Sequence, residues 1–257
     1  MTTLLAGFAA VVLLWWLSTG LILLAVRRFA PGGHGFAGLL CALLVLALLL
    51  AAPAPGLDEA TRVKLGFLSG LTLWGLHELL FLAGWLTGPR REAAPGWRHA
   101  TFREAAATVS DRHLALALTA ALLALSTLAG AEAMALWSFL LLWGLRVLAE
   151  INLFLGAPHA PTGLVPPRLR YLATYFRRDR VSPLFPLTVN LILPAAIVSM
   201  NRSVSATDEA EAVAAALLGA LLALGILEMF FLVLPFGEDR LWRWAGPPAT
   251  GRTPRKG

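Results

Sequence analysis

"LWGLHELLFLAGWLTGPRR", residues 73–91, sets a histidine and a glutamate side by side in an apolar run that ends on two arginines. A bilayer's hydrocarbon core of about 30 Å takes about 20 apolar residues to cross. Extended upstream, this run is long enough, so His77 and Glu78 fall where water is scarce and a lone charge costs a few kcal/mol or more, by about the usual scales. Whether the rest of the chain supports that reading is a matter of composition. Of the 257 residues, 58% are hydrophobic and 14% charged, against about 45–50% and about 25% in soluble domains. That is a membrane composition. The net charge of +6 reads as the positive bias of cytoplasmic loops and not as a nucleic-acid surface, since no nucleic-acid motif accompanies it. A single cysteine, Cys41, excludes an intrachain disulfide, a Cys-based zinc site and CxxC redox chemistry.

Seven segments have the length or nearly the length of a span: about 4–26, 36–52, 63–86, 113–131, 133–155, 184–200 and 212–235. The first lacks the basic start and short apolar stretch of a cleaved signal and reads as a retained span. The sixth contains Pro186 and Pro194, whose effect on the backbone neighbouring helices must compensate. The expected fold is an all-α polytopic bundle, one membrane-embedded domain over 1–244, followed by a basic, Pro/Gly-rich, unstructured tail over 245–257. Charge gives its direction. Of the 21 Lys and Arg, Arg62, Lys64 and Arg202 fall on the side of the N-terminus. Arg146 lies inside the fifth span, and the other 17 fall on the opposite side, from Arg27 to Lys256. The N-terminus is therefore expected outside and the C-terminus in the cytoplasm.

Between spans, Thr101 and Glu104 have the spacing of a capping box and predict a short helix before the fourth span. Leu169, Leu172 and Phe176, with arginines around them and Tyr171 and Tyr175 as anchors, predict a helix lying on the membrane surface. "LWRW" at 241–244 reads as an aromatic anchor at the interface.

The polar residues inside spans are His77, Glu78, Arg146, Glu150, Asn152, Asn190 and Glu228. At about 1.5 Å per residue, Glu78, Glu150, Asn190 and Glu228 lie about 8–12 Å below the inner boundary of their spans. A common level predicts a buried cluster joining the third, fifth, sixth and seventh spans. Arg146 and Glu150, four apart on one helix face, can pair; for Glu78 and Glu228 the options are a bridge from Arg146 to one, His77 pairing with the other, or one staying protonated by burial. Such a cluster reads first as a packing network, second as a ligand site, and third as proton-moving or catalytic. Catalysis finds little support: "HE" lacks the second histidine of H-E-x-x-H, position 81 being Phe81, and no internal repeat suggests a transporter. Gly66 and Gly70 form a G-x-x-x-G for close helix packing.

One ordered series of motifs points further: "LLWWLSTG" (13–20), "WGLHE" (74–78), "GWLTGPRR" (84–91), "INLFLGAP" (151–158), "PRLRYLATYF" (167–176), "LFPLTV" (184–189) and "LEMFFLVLP" (227–235). The series resembles the PuhE family, photosynthetic complex assembly protein 2 of purple phototrophic bacteria, over nearly the whole chain. Glu150 and His159 depart from the family pattern, where a basic residue and an asparagine are usual, whereas His77-Glu78 matches it. The resemblance implies a multi-pass protein of the bacterial inner membrane, without enzymatic activity. It would support assembly of the photosynthetic reaction centre and core light-harvesting complex. Its expected partners are reaction-centre or core antenna subunits, other assembly factors and the lipid bilayer. An alternative expectation is a bacteriochlorophyll carrier with His77 as the magnesium ligand, a neutral imidazole being a suitable axial group.

Overall fold

The computed structural model describes residues 1–52, 55–236 and 238–245; the expected tail, beyond Ala245, lies outside them. Among the described residues there is no strand. Those residues form nine α-helices: α1 (Thr2–Arg28), α2 (His34–Ala51), α3 (Glu59–Leu82), α4 (Phe102–Ala106), α5 (Ser110–Leu128), α6 (Met134–Leu155), α7 (Arg170–Ala173), α8 (Phe185–Ser205) and α9 (Glu209–Val233). All except the short α4 and α7 are long and apolar enough to cross a bilayer, which makes seven. The chain is a multi-pass helical membrane protein.

Local chemistry sets several helix ends. Asp58 caps α3 by accepting from the Thr61 amide at 2.8 Å, and Asp208 caps α9 by accepting from the Glu211 amide at 2.8 Å, each meeting one of the donors a helix start leaves free. α3 stops at Leu82, four residues short of the expected 86, because Gly84 turns the chain at φ +79°, a conformation that suits glycine. The capping box of α4 forms in both directions: the Glu104 amide donates to Thr101 Oγ1 at 3.3 Å, and the Thr101 amide donates to Glu104 Oε2 at 2.8 Å. Hydrogen bonds from the Arg98 guanidinium, and then from the Thr101 amide, hold the Glu104 carboxyl well below the usual carboxylate range. A carboxyl lowered in this way favours the fold above its ordinary pKa, and that contribution fades only as pH falls through the depressed value.

α9 is apolar on all sides and correspondingly central. Its Val213, Leu217, Leu221 and Leu224 pack with Val11 of α1, Phe67 of α3 and Met134 of α6. Further along, Leu222 and Met229 pack with Leu145 of α6 and with Ile192 and Ala196 of α8. α3 and α6 run parallel in one register. Gly66 lies against Met134, Gly70 against Ser138, and Glu78 reaches Arg146. The G-x-x-x-G thus serves packing within the chain, since a Cβ on Gly70 would sit 2.2 Å from Ser138 Oγ. α1 and α9 are parallel as well, with Gly7 beside Ala216 and Trp15 beside Glu228.

The loops before α5 and before α8 pack on each other at one end. Arg90 Nε donates to the Tyr175 hydroxyl at 2.7 Å, that hydroxyl donates to the Glu92 carbonyl at 3.0 Å, and Arg168 Nη1 donates to the Ala83 carbonyl at 3.1 Å. The helix expected around Leu169, Leu172 and Phe176 is short and is buried instead of lying on a surface. Pro167–Leu169 is a 3₁₀ turn, α7 is a single turn, and Leu169, Leu172 and Tyr175 are buried against the bundle. Their apolar face turns inward because the bundle offers a cavity to cover. "LWRW" also differs from the expected anchor. Glu238–Ala245 folds back along α1, where Trp242 is buried, meets Trp15 edge-on at 5.1 Å and donates to the Trp16 carbonyl at 2.9 Å.

Candidate functional site: a charged clamp beside a cavity

Glu78 is the centre of the polar cluster. Its Oε1 accepts from Arg112 Nη2 of α5 and, at 3.0 Å, from Arg146 Nη2 of α6. Arg112 also reaches Glu150 of α6 through Nη1 at 3.3 Å. One guanidinium therefore ties α5 to two neighbours. Arg112 is 1% exposed, and its Cζ stands 4.1 Å from the ring centre of Phe81, a cation–π contact. The second oxygen of Glu150 meets His113 Nε2 at 2.7 Å. Trp143 Nε1 donates to His113 Nδ1 at 3.0 Å; an indole N–H only donates, so the imidazole proton sits on Nε2 and points at Glu150.

The local fold explains how Arg112 arrives there. The chain from Gly84 to Val109 returns to the bundle, and the Arg112 amide donates to the Thr87 carbonyl at 3.0 Å. Gly88 passes so close to Ala107 that a Cβ would lie 2.2 Å from its carbonyl oxygen. This approach starts α5 at Ser110, three residues before the expected 113, and draws Arg112 into the bundle from what the sequence reads as loop.

The expected cluster residues separate into two groups. Glu78, Arg146, Glu150 and Glu228 come together around shared space. His77, Asn152 and Asn190 do not join them. Arg146 pairs with Glu78 and not with Glu150, whose partners are Arg112 and His113. Among the described residues His77 pairs with no carboxylate: adjacent helical positions point about 100° apart, so it faces α5 and α6, with Nε2 2.9 Å from Thr119 Oγ1 and its ring edge-on to Phe139. Asn152 is buried and donates to the Leu148 carbonyl at 2.8 Å and to Thr188 Oγ1 of α8 at 2.9 Å, a separate link between α6 and α8. Asn190 is exposed on the outer face of α8, donating to the Pro186 carbonyl at 2.8 Å. Thr188 and Ile192 mark the inner face of α8, and a residue two away from each points outward.

Glu228 accepts from Trp15 Nε1 at 2.8 Å. With Glu78 and Arg146 it lines a cavity of about 170 Å³ between α1, α3, α6 and α9. The same three residues border a second cavity of about 660 Å³. Its walls are largely apolar, and it reaches Phe102–Arg112, Ile151 and Phe154, and the 161–176 segment. His77 lines neither of these two cavities. Arg112 and His113 are the members that sequence reasoning missed. The signal was the pair "RH" directly abutting an apolar run, where a helix start and a loop end look alike.

Comparison with known proteins follows the same outline. The chain is 33% identical over 243 residues to a protein of Rhodobacter capsulatus described as "Uncharacterized 30.4 kDa protein in puhA 5'region", covering 92% of this chain and 88% of that one. No solved structure matches it. A family model matches residues 1–253, which takes in the whole stretch that the ordered motifs span. The resemblance read from those motifs is borne out, and the chain belongs to the family described as "Protein of unknown function (DUF3623)".

Proposed function

We propose that the protein is a non-enzymatic factor of the bacterial inner membrane that supports assembly of the photosynthetic reaction centre and core light-harvesting complex. The observation that carries this reading is the likeness to the Rhodobacter capsulatus protein named for the region 5′ of puhA, a photosynthesis gene region. The site supports it. Glu78 and Glu150 are engaged by Arg112, Arg146 and His113, an arrangement suited to fixing helices in one register. A rigid bundle of this kind offers apolar outer faces to nascent membrane subunits and an arginine-rich end to their soluble portions. In a phototrophic host lacking the gene, near-infrared absorption is expected to show reaction-centre and core-antenna bands reduced several-fold. Bands at wild-type height in the deletion strain would remove the reading.

The same proposal places the arginine-rich end in the cytoplasm and the N-terminus outside. A reporter fused after Gly257 is expected to be active only in the cytoplasm; activity in the periplasm would reverse the orientation.

A further inference from the structure

Two groups of the cluster have hydrogen-bonding capacity left over, and both border the cavities. Among the described residues Arg146 makes one side-chain hydrogen bond, to Glu78, and its side chain is 36% exposed. Glu228 accepts from Trp15 alone, and no Arg, Lys or His nitrogen of those residues comes within 4.0 Å of it. A donor and an acceptor thus share one wall. The larger cavity, about 660 Å³, falls within the range of about 300–1,000 Å³ that small-molecule sites occupy. Away from the cluster its lining is largely apolar: Ile151, Phe154, Leu164, Leu169 and Phe176 contribute to it.

The charges select the head group. An anion would meet three carboxyl groups, Glu78, Glu150 and Glu228, against two guanidiniums, Arg112 and Arg146. A cation drawn to Glu228 would face Arg146 across the same wall. A neutral group that both accepts and donates suits the pair. We propose that this cavity binds a neutral amphiphile with a single polar end, a long-chain alcohol or primary amide, whose end accepts a hydrogen bond from Arg146 and donates one to Glu228 while its apolar body fills the space toward the 161–176 segment. This inference is independent of the assembly reading, and the deletion spectrum does not bear on it.

The test uses the full chain in phosphatidylcholine nanodiscs with hexadecanol carrying a mid-chain diazirine as probe. After illumination, labelled peptides are expected to contain Ile151–Phe154 or Leu164–Phe176, and labelling is expected to saturate. Hexadecanamide should compete; hexadecane, hexadecanoate and hexadecyltrimethylammonium at equal concentration should not. Leu164→Trp, a substitution that fills the cavity, should cut this labelling about tenfold, and Glu228→Leu should weaken competition by the amide about tenfold, as loss of one buried hydrogen bond does. Labelling spread over the outward faces of the helices overturns the proposal. So does labelling unchanged by Leu164→Trp, or hexadecane competing as well as the amide, or hexadecanoate competing better. Ile151→Trp serves as a second filling variant, and the competition series on the unaltered chain decides the matter if both variants fail to fold.

Discussion

Glu78→Leu is expected to destabilise the protein by about 3–5 kcal/mol, the cost of leaving a buried guanidinium without its partner. Arg112 donates to Glu78 from a position that is 1% exposed. With Glu78 gone, its remaining carboxylate is Glu150 at 3.3 Å. Arg146 loses its ion pair as well, though its partial exposure to the cavities lessens that loss. The expected observation is a sharp fall in the thermal midpoint of the detergent-solubilised protein and reduced accumulation in the membrane. Asn190→Leu serves as a comparison. It removes a side chain that bonds only to its own helix on an exposed face, and its midpoint should stay close to that of the unaltered chain.

Gly70→Leu is the second substitution with a large expected effect, at or above the upper end of the range of about 1–3 kcal/mol typical of overpacking. Even the first added carbon would lie 2.2 Å from Ser138 Oγ and 2.8 Å from the Ala135 carbonyl oxygen. The backbone must therefore move, and α3 must part from α6. Because the two helices are parallel in one register, the separation carries Glu78 away from Arg146 two turns further along. Thermal unfolding in detergent reads this directly. Gly144→Leu, at an α6 position where an added Cβ meets nothing within 4 Å, should leave the midpoint nearly unchanged. Equal losses for the two variants would contradict the close crossing of α3 and α6.

The seven helices were legible because apolar runs of the right length are a strong signal, and the level of the acidic residues followed from counting along them. Direction around the helix axis was not legible. Asn190 lies at the expected level but points away from the bundle, and His77, one residue from Glu78, looks toward α5 and α6 instead of into the cavities. Level is a property of sequence position alone, whereas facing depends on which neighbours a helix acquires. Arg112 shows the complementary gap. Counted by composition it belongs to a basic loop, and only the return of the chain past Gly88, with the Thr87 carbonyl taking the Arg112 amide, turns it into the buried cation that holds Glu78 and Glu150. The Arg146–Glu150 pairing that a spacing of four allows fails for the same reason, since α3 and α5 each supply a better-placed partner.

The claim that Arg112 of α5 locks onto Glu78 of α3 is tested most directly by a double-mutant cycle on thermal or denaturant unfolding, built from Arg112→Leu, Glu78→Leu and the pair together. The account predicts that the double variant is about 2–3 kcal/mol more stable than the sum of the single losses implies, as for residues in direct contact. Losses that add to within about 0.5 kcal/mol, as for sites that do not touch, would contradict it.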